Sequence, residues 1–399
     1  MKIGVLGGTF NPIHNGHIEM ARKALEMASL DEVWVMPAGM PPHKENSDIC
    51  LGRHRMKMCE LACAYEDRII ASDFEIKSTS FNYTYQTLEN LHSIYPMHQF
   101  FFIMGQDSVN GFDTWREPQK ILDNATLLVF LRGKSFELEK EQCLTTISSF
   151  KKKYDGSFLL LEYEPTAISS TDIRNAIRSN DSSYDLRCVI SKDVYDYIKE
   201  HRLYEVFPAY DVSAIKKSLK KELKESRYKH SLGVADTACS LALKYGYPEE
   251  LAGVAGLLHD CAKYMSNDEL LSYAKKHHID VLDGDKKAPH LLHAPVGAYL
   301  AKHKYGIKDK EILHAISVHT TGCKAMNLLD KIIFISDYIE QNRNKAPRLD
   351  EIRSLAYENL DDCIVCILED TIKYIKSSNS YMDLRTIETY EYYQKENDR

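Results

Sequence analysis

Gly7-Gly8-Thr9-Phe10-Asn11-Pro12-Ile13-His14-Asn15-Gly16-His17 stands between an apolar run at 2–6 and a segment at 18–28 whose apolar residues recur every three or four positions. It reads as a strand, a sharp glycine turn and a helix. A backbone turning on two glycines can approach a ligand closely. The helix N-terminus beyond it offers free N–H groups and the positive end of the dipole, which suits phosphate. His14 and His17, three apart, project from one face of that helix start and can donate to phosphate oxygens. A glycine turn alone is a weak signal; two histidines bracketing a glycine there are far more specific.

From this turn to about residue 204, short apolar runs alternate with helical periodicity. The runs at 2–6, 32–36, 68–74, 99–104, 126–131 and 158–163 read as strands, and 18–28, 53–64, 84–94 and 171–178 as helices. Buried strands alternating with helices predict an α/β domain on a doubly wound, mostly parallel sheet. Its ligand site lies at the carboxyl ends of the strands. From about residue 211 strand candidates almost vanish. Segments at 212–225, 230–245, 251–263, 268–277, 295–303, 310–319, 330–341 and 350–376 all carry the 3.6-residue period, which predicts an all-α second domain. Phe207-Pro208-Ala209 breaks the chain between them, so the domains are set at 1–203 and 213–399 with a linker at 204–212.

The 399 residues suit roughly two to three domains. A net charge of −7, with no basic tail, argues against binding nucleic acid or an anionic membrane in general, while leaving room for a local phosphate pocket. Ten scattered cysteines, no signal peptide and no apolar run of about 18 residues predict a cytoplasmic protein with reduced thiols.

The glycine-turn segment resembles the H-x-G-H signature of the nucleotidyltransferase superfamily, and further motifs are similar to those of bacterial nicotinate-nucleotide adenylyltransferases. Pro41-Pro42-His43-Lys44 matches a P-P-H-K loop, and Asn82-Tyr83-Thr84-Tyr85-Gln86-Thr87 a Y-T-x-x-T segment. Met104-Gly105-Gln106-Asp107-Ser108 matches a G-x-D-S strand end, and Ile168-Ser169-Ser170-Thr171-Asp172-Ile173-Arg174 matches I-S-S-T-x-I-R. The resemblance covers about 1–203. It implies a Rossmann-like fold, and adenylyl transfer from ATP to nicotinate mononucleotide with Mg²⁺ on the leaving phosphates. It implies that His14, His17, Lys44 and Arg174 are catalytic. Gly7, Gly8, Thr9, Phe10, Gly105, Asp107, Ser169, Ser170 and Thr171 would line the ATP and substrate site. Thr84 and Tyr85 would meet the pyridine carboxylate, and Trp115 would stack on the ring. Read singly, Ser169-Ser170-Thr171 is a helix N-cap cluster and Trp115 a packing residue. Order and spacing together favour the shared site.

In the second half, His259-Asp260 ends an apolar helical segment, with His230 upstream and His293, His319 and Asp337 downstream. Imidazoles and carboxylates brought from several helices to one point suit a divalent ion that binds phosphate and lowers the pKa of a coordinated water. The pattern is similar to the H…HD…D signature of HD phosphohydrolases. Tyr228-Lys229-His230-Ser231-Leu232-Gly233, Leu257-Leu258-His259-Asp260-Cys261-Ala262-Lys263 and Ile335-Ser336-Asp337-Tyr338-Ile339-Glu340 resemble the YqeK-type symmetrical diadenosine-tetraphosphate hydrolases. That resemblance covers about 213–399, with little matched beyond 356. It implies His230, His259, Asp260 and Asp337 as ligands of one iron (Fe²⁺ or Fe³⁺, with Mn²⁺ an option). Gly233, Lys263, His293, His319, Tyr338 and Arg343 would hold nucleotide and phosphates. A two-metal arrangement using His293 and His319 is the runner-up. A nucleoside monophosphate phosphatase, or a silent nucleotide sensor regulating the first half, stands as the alternative. His314 lies about 140° from His319 on a helix and cannot easily share its site. Cys363-Ile364-Val365-Cys366 reads as core.

Overall fold

A computed structural model describes residues 1–39, 49–78, 83–132, 137–163, 168–181 and 184–397. Lys44 and the rest of the Pro41–Lys44 motif, and Asn82, lie outside the described residues. Six strands, β1 (Lys2–Gly8), β2 (Glu32–Pro37), β3 (Ile69–Ala71), β4 (Gln99–Gly105), β5 (Thr126–Arg132) and β6 (Phe158–Tyr163), form one sheet. Their order is β3-β2-β1-β4-β5-β6 and every pairing is parallel. Along β1 and β4 the side chains alternate between faces. Ile3, Val5, Phe100 and Phe102 enter one apolar cluster, and Leu6, Phe101 and Ile103 the other. Because helices cover both faces, these strands are apolar at nearly every position, which is why they show in the sequence as continuous runs.

The helices of this unit are α1 (Asn15–Met27), α2 (Gly52–Cys63), α3 (Thr84–Ile94), α4 (Gln106–Val109), α5 (Pro118–Asn124), α6 (Glu137–Lys153), α7 (Ser170–Ser179) and α8 (Lys192–Glu200). The sheet reverses direction of winding between β1 and β4. Leu6 pairs with Ile103, so Gly8 and Gly105 end neighbouring strands two residues further on, at the switch point. The expected strand at 68–74 is only three residues long. Ser72 N–H still reaches the Val35 carbonyl (2.8 Å), but the chain then turns, with Lys77 N–H on the Asp73 carbonyl (3.0 Å).

The second unit is helical: α9 (Val212–Glu222), α10 (Glu225–Tyr245), α11 (Glu249–Leu258), α12 (Asn267–Lys276), α13 (Asp283–Lys287), α14 (His293–His303), α15 (Lys310–Val318), α16 (Leu328–Ile339), α17 (Leu349–Leu355), α18 (Leu360–Ser377) and α19 (Leu384–Asn397). One apolar cluster, with Leu257, Ile316, Ile332 and Ile364 at its centre, forms its core. Two expectations are corrected here. The single helix at 350–376 is two, because the Asn359 side chain caps α18 by accepting from the N–H groups of Asp361 (2.9 Å) and Asp362 (3.3 Å). The helix expected to reach 263 stops at Leu258, so His259 and Asp260 lie in the turn beyond it.

Contacts divide the chain into two compact units, 1–199 with 203–206, and 200–202 with 207–399. Among the described residues no helix is long and apolar enough to cross a membrane. All ten cysteines are free.

Candidate active sites

The first site is built on the turn after β1. Phe10 adopts a left-handed conformation (φ 46°) that folds its ring under the turn, 5.0 Å from the His17 ring and edge-on to it. His14 stands at the N-cap position of α1, and its ring lies tilted over that of His17 with 3.7 Å between centroids. The His14 N–H donates to His17 Nδ1 (3.2 Å), which leaves the His17 proton on Nε2 as an outward donor. Burial pushes His14 down to about 4, and burial followed by the neighbouring His14 pushes His17 well below its ordinary value. Burial thus favours the neutral form of both rings, which can still donate a hydrogen bond. His14 Nδ1 is buried with no hydrogen-bond partner.

A second helix start meets the same turn. Ser169 caps α7, accepting from Asp172 N–H (3.1 Å), while Ser170 Oγ–H donates to the Pro12 carbonyl (2.8 Å). Arg174 donates to the Asn11 carbonyl (2.8 Å) and to Thr171 Oγ1 (3.3 Å), and its buried Nε has no partner. Two helix N-termini, two histidines and one guanidinium thus share one neighbourhood. Gly7 is exposed and Gly8 and Thr9 half-buried in the turn, and Gly105 faces open space on the adjacent strand, with Asp107 in the short α4 that follows.

Thr84 and Tyr85 open α3, and Trp115 packs half-buried on Phe102 and Phe112 (centroids 5.9 and 5.7 Å). The two segments meet through cations. Arg116 lies over the Tyr83 ring and Lys120 over the Tyr85 ring, at 4.7 and 5.2 Å.

One residue here carried no sequence signal. Arg55, on α2, is only 2% exposed. Its guanidinium donates to the carbonyls of Thr9 (3.0 Å), Ala38 (2.6 Å), Gly39 (2.8 Å) and Cys50 (3.2 Å). It ties the turn after β1 to the segments flanking the P-P-H-K motif. A carbonyl held inward turns the next amide N–H the other way, so Arg55 orients the Phe10 N–H away from itself.

The second site gathers the ends of five helices. His230 lies on α10, His259 and Asp260 just after α11, His293 at the start of α14, His319 just after α15, and Asp337 on α16. His230 Nε2 is 3.0 Å from Asp337 Oδ1 and 3.3 Å from His259 Nε2, and His259 Nε2 is 3.5 Å from Asp260 Oδ2. On the other side of the same carboxylate, His293 Nε2 is 3.1 Å and His319 Nε2 3.6 Å from Asp260 Oδ1, and those two nitrogens are 3.2 Å apart.

All four imidazoles are anchored by Nδ1. Those of His259 and His319 bond to the Gly256 (2.6 Å) and Ile316 (2.7 Å) carbonyls, and that of His293 to the His290 carbonyl. That of His230 bonds to Glu340 Oε1 (3.2 Å). Such acceptors take the proton on Nδ1, so each ring turns Nε2 toward the carboxylates, where it can bind a metal ion in exchange for any proton it holds. Asp260 Oδ1 is buried and accepts no hydrogen bond. Burial pushes the Asp260 and Asp337 carboxyls up, yet the histidines around them outweigh it and hold both well below the usual carboxylate range. Carboxylates and facing imidazole nitrogens fit a divalent metal, and the HD signature implies one.

Local sequence explains the approach. A side chain on Gly256 would meet the Ala235 backbone at 2.8 Å, so this glycine lets α11 lie on α10 and bring His259 to His230. Gly233, expected to line nucleotide, is buried, and a side chain there would collide with Glu340 and Asn342; its place is taken by the partner of His230. Lys263 Nζ sits 3.0 Å from His293 Nε2. Arg343 donates to the Asp337 carbonyl (2.7 Å) and Oδ1 (3.1 Å). Tyr338 is half-buried, and burial together with Asp370 pushes its phenol up to about 12. Arg227, unnoticed in the sequence, donates to Asp260 Oδ2 (2.7 Å). Its one available signal was the three-residue spacing from His230, which sets both on one face of α10.

The chain matches the cytidylyltransferase-like family over residues 5–176 and the HD domain over residues 227–342. A Clostridium acetobutylicum protein described as "Probable nicotinate-nucleotide adenylyltransferase" is 37% identical over 203 residues, which are 51% of this chain and 98% of the relative. A Mycoplasma genitalium protein described as "Probable nicotinate-nucleotide adenylyltransferase/Ap4A hydrolase" is 28% identical over 381 residues, 94% of this chain and 98% of the relative. A crystal structure from C. acetobutylicum, described as a "predicted HD superfamily hydrolase involved in NAD metabolism", is 38% identical. It is covered in full, spans 47% of this chain and has a TM-score of 0.46. The chain therefore belongs to the nicotinate-nucleotide adenylyltransferase family and carries, in the same polypeptide, an HD domain.

Proposed function

We propose that the first unit transfers the adenylyl group of ATP to nicotinate mononucleotide, releasing pyrophosphate with Mg²⁺ on the leaving phosphates. The second unit, in this reading, hydrolyses diadenosine tetraphosphate symmetrically to two ADP. A phosphate oxygen of the mononucleotide attacks the α-phosphorus in line as the bond to pyrophosphate breaks, and no general base is needed because that phosphate is already ionised. His17 Nε2–H, His14 and Arg174 donate to the charge that develops, and the starts of α1 and α7 add backbone donors. Lys44 joins them through its motif. Thr84, Tyr85 and Trp115 select the nicotinate ring.

In the second unit His230, His259, Asp260 and Asp337 would hold an ion, iron by the resemblance of the signature, which would supply a Lewis acid and lower the pKa of a water. Arg227, Lys263 and Arg343 surround the centre with positive charge that suits a polyphosphate chain. The observation that carries this reading is the set of four Nδ1-anchored histidines facing Asp260 and Asp337. It also favours the two-metal arrangement, because the two oxygens of Asp260 face different histidine pairs, His230–His259 and His293–His319.

The test assays the full chain for both reactions. His17→Ala should lower adenylyl-transfer turnover by ~10²–10³-fold and spare hydrolysis; Asp260→Ala should do the reverse. A wild type that leaves diadenosine tetraphosphate intact with Fe²⁺ present would refute the hydrolase reading, whether nucleoside monophosphates are consumed instead or nothing is. Elemental analysis of wild type and His319→Ala counts the ions, since only the two-metal site loses one in the variant.

A further inference from the structure

A third histidine–carboxylate cluster in the second unit lies apart from the centre just described. His314, on α15, places Nδ1 2.9 Å from each oxygen of Asp330, in the first turn of α16. Cys323 lies in the loop between these helices. A ligand atom of His314, the Cys323 thiol and a carboxylate oxygen of Asp330 all fall within 4.8 Å of one another. Asp330 is 1% exposed, Cys323 half-buried, and His314 exposed, so the cluster has a buried floor and an open mouth. Asp330 Oδ2 also accepts the Asn327 N–H (3.0 Å) in the cap of α16, while Oδ1 faces His314.

We propose that His314, Cys323 and Asp330 form a separate site for a thiophilic divalent ion of the zinc class, with water as the fourth ligand. Nitrogen, sulfur and oxygen on three successive pieces of chain are the donor set such an ion takes. Ligand atoms about 2.0–2.3 Å from a tetrahedral ion stand about 3.3–3.7 Å apart, so closure needs adjustments of about 1 Å. A neutral imidazole, a thiolate and a carboxylate balance the charge of the ion and relieve the buried carboxylate. Burial, with Asp330 adding to it, pushes the Cys323 thiol up to about 11, and Asp330 raises His314, with Glu311 also nearby. Ion binding therefore competes with protons at both ligands and releases one from the Cys323 thiol. The bound ion braces the loop that starts at His319, linking the end of α15 to the start of α16. This site goes beyond the proposed hydrolase reading and does not depend on it.

Thiolate ligation separates the two sites experimentally, because the other centre offers nitrogen and oxygen. Metal-free full-length protein titrated with Co²⁺ should develop a near-ultraviolet thiolate-to-cobalt charge-transfer band. Cys323→Ser should abolish the band and lower bound Co²⁺ by about one ion per chain. His314→Gln, on an exposed position that leaves the fold intact, should weaken the band-forming site at least ~10-fold. Zn²⁺ should displace the cobalt and bleach the band. Absence of the band in wild type, or its persistence in Cys323→Ser, overturns the proposal.

Discussion

Arg55 shows what a single side chain decides. Four carbonyls point at its guanidinium, and those of Thr9, Ala38 and Gly39 belong to the chain around the first site. Lysine offers a point charge with three donors and cannot reproduce that fork. Arg55→Lys should leave the protein folded and lower kcat for adenylyl transfer by ~10-fold or more (~1.4 kcal/mol), with hydrolysis unchanged. Arg55→Met would leave buried carbonyls without donors, at ~1–3 kcal/mol each, and should destabilise the first unit in urea titrations. A kcat unaffected in Arg55→Lys would reduce the residue to a structural role. In the sequence Arg55 is indistinguishable from Arg53 two positions earlier, which is exposed. The histidines were legible because motif and spacing mark them. Arg55 was not, because its partners are main-chain atoms that any sequence supplies.

At the scale of elements, α19 is the part of the second unit least visible in advance. Arg385 near its start pairs with Asp285, eight residues before His293, and with both oxygens of Asp383 (2.8 and 2.9 Å). Further along, Thr389 packs on Gly322, and Tyr393 Oη accepts the Met326 N–H (2.9 Å). This helix thus rests on the chain before His293 and on the loop after His319. Arg385→Ala would strand two buried carboxylates, and loss of one partner of a buried pair costs about 3 kcal/mol or more. The second unit should unfold at lower denaturant, while the first holds its midpoint. Arg385 also holds the Asp383 carboxyl below its ordinary range, first through their hydrogen bond. The folded state then binds that proton less readily than the unfolded chain. Its contribution is therefore full above about pH 4 and is lost as acid protonates the group. Equal midpoints for wild type and Arg385→Ala at pH 7 would show that α19 does not brace these loops.

For the whole molecule, two separate cores predict two unfolding events. The sheet's apolar clusters belong to one unit, and the helical cluster around Leu257 and Ile332 to the other. Calorimetry of the full chain should resolve two transitions. An ATP analogue should raise one of them and Fe²⁺ the other, each by ~2.7 kcal/mol at a hundredfold excess over its Kd. One ligand moving both transitions equally would mean that the units unfold together. The sequence by itself determined the two architectures, since strands buried on both faces and helices with a 3.6-residue stripe leave their period in the chain. It also marked the histidines and carboxylates that the structure gathers in each candidate site, because motif and spacing single them out. Only the tertiary structure decided that Asp260 divides its two oxygens between two histidine pairs, that Glu340 rather than a nucleotide fills the space at Gly233, and that Arg227 and Arg55 reach these sites. Those facts depend on distances between helices and loops far apart in sequence, which packing fixes and no local period records.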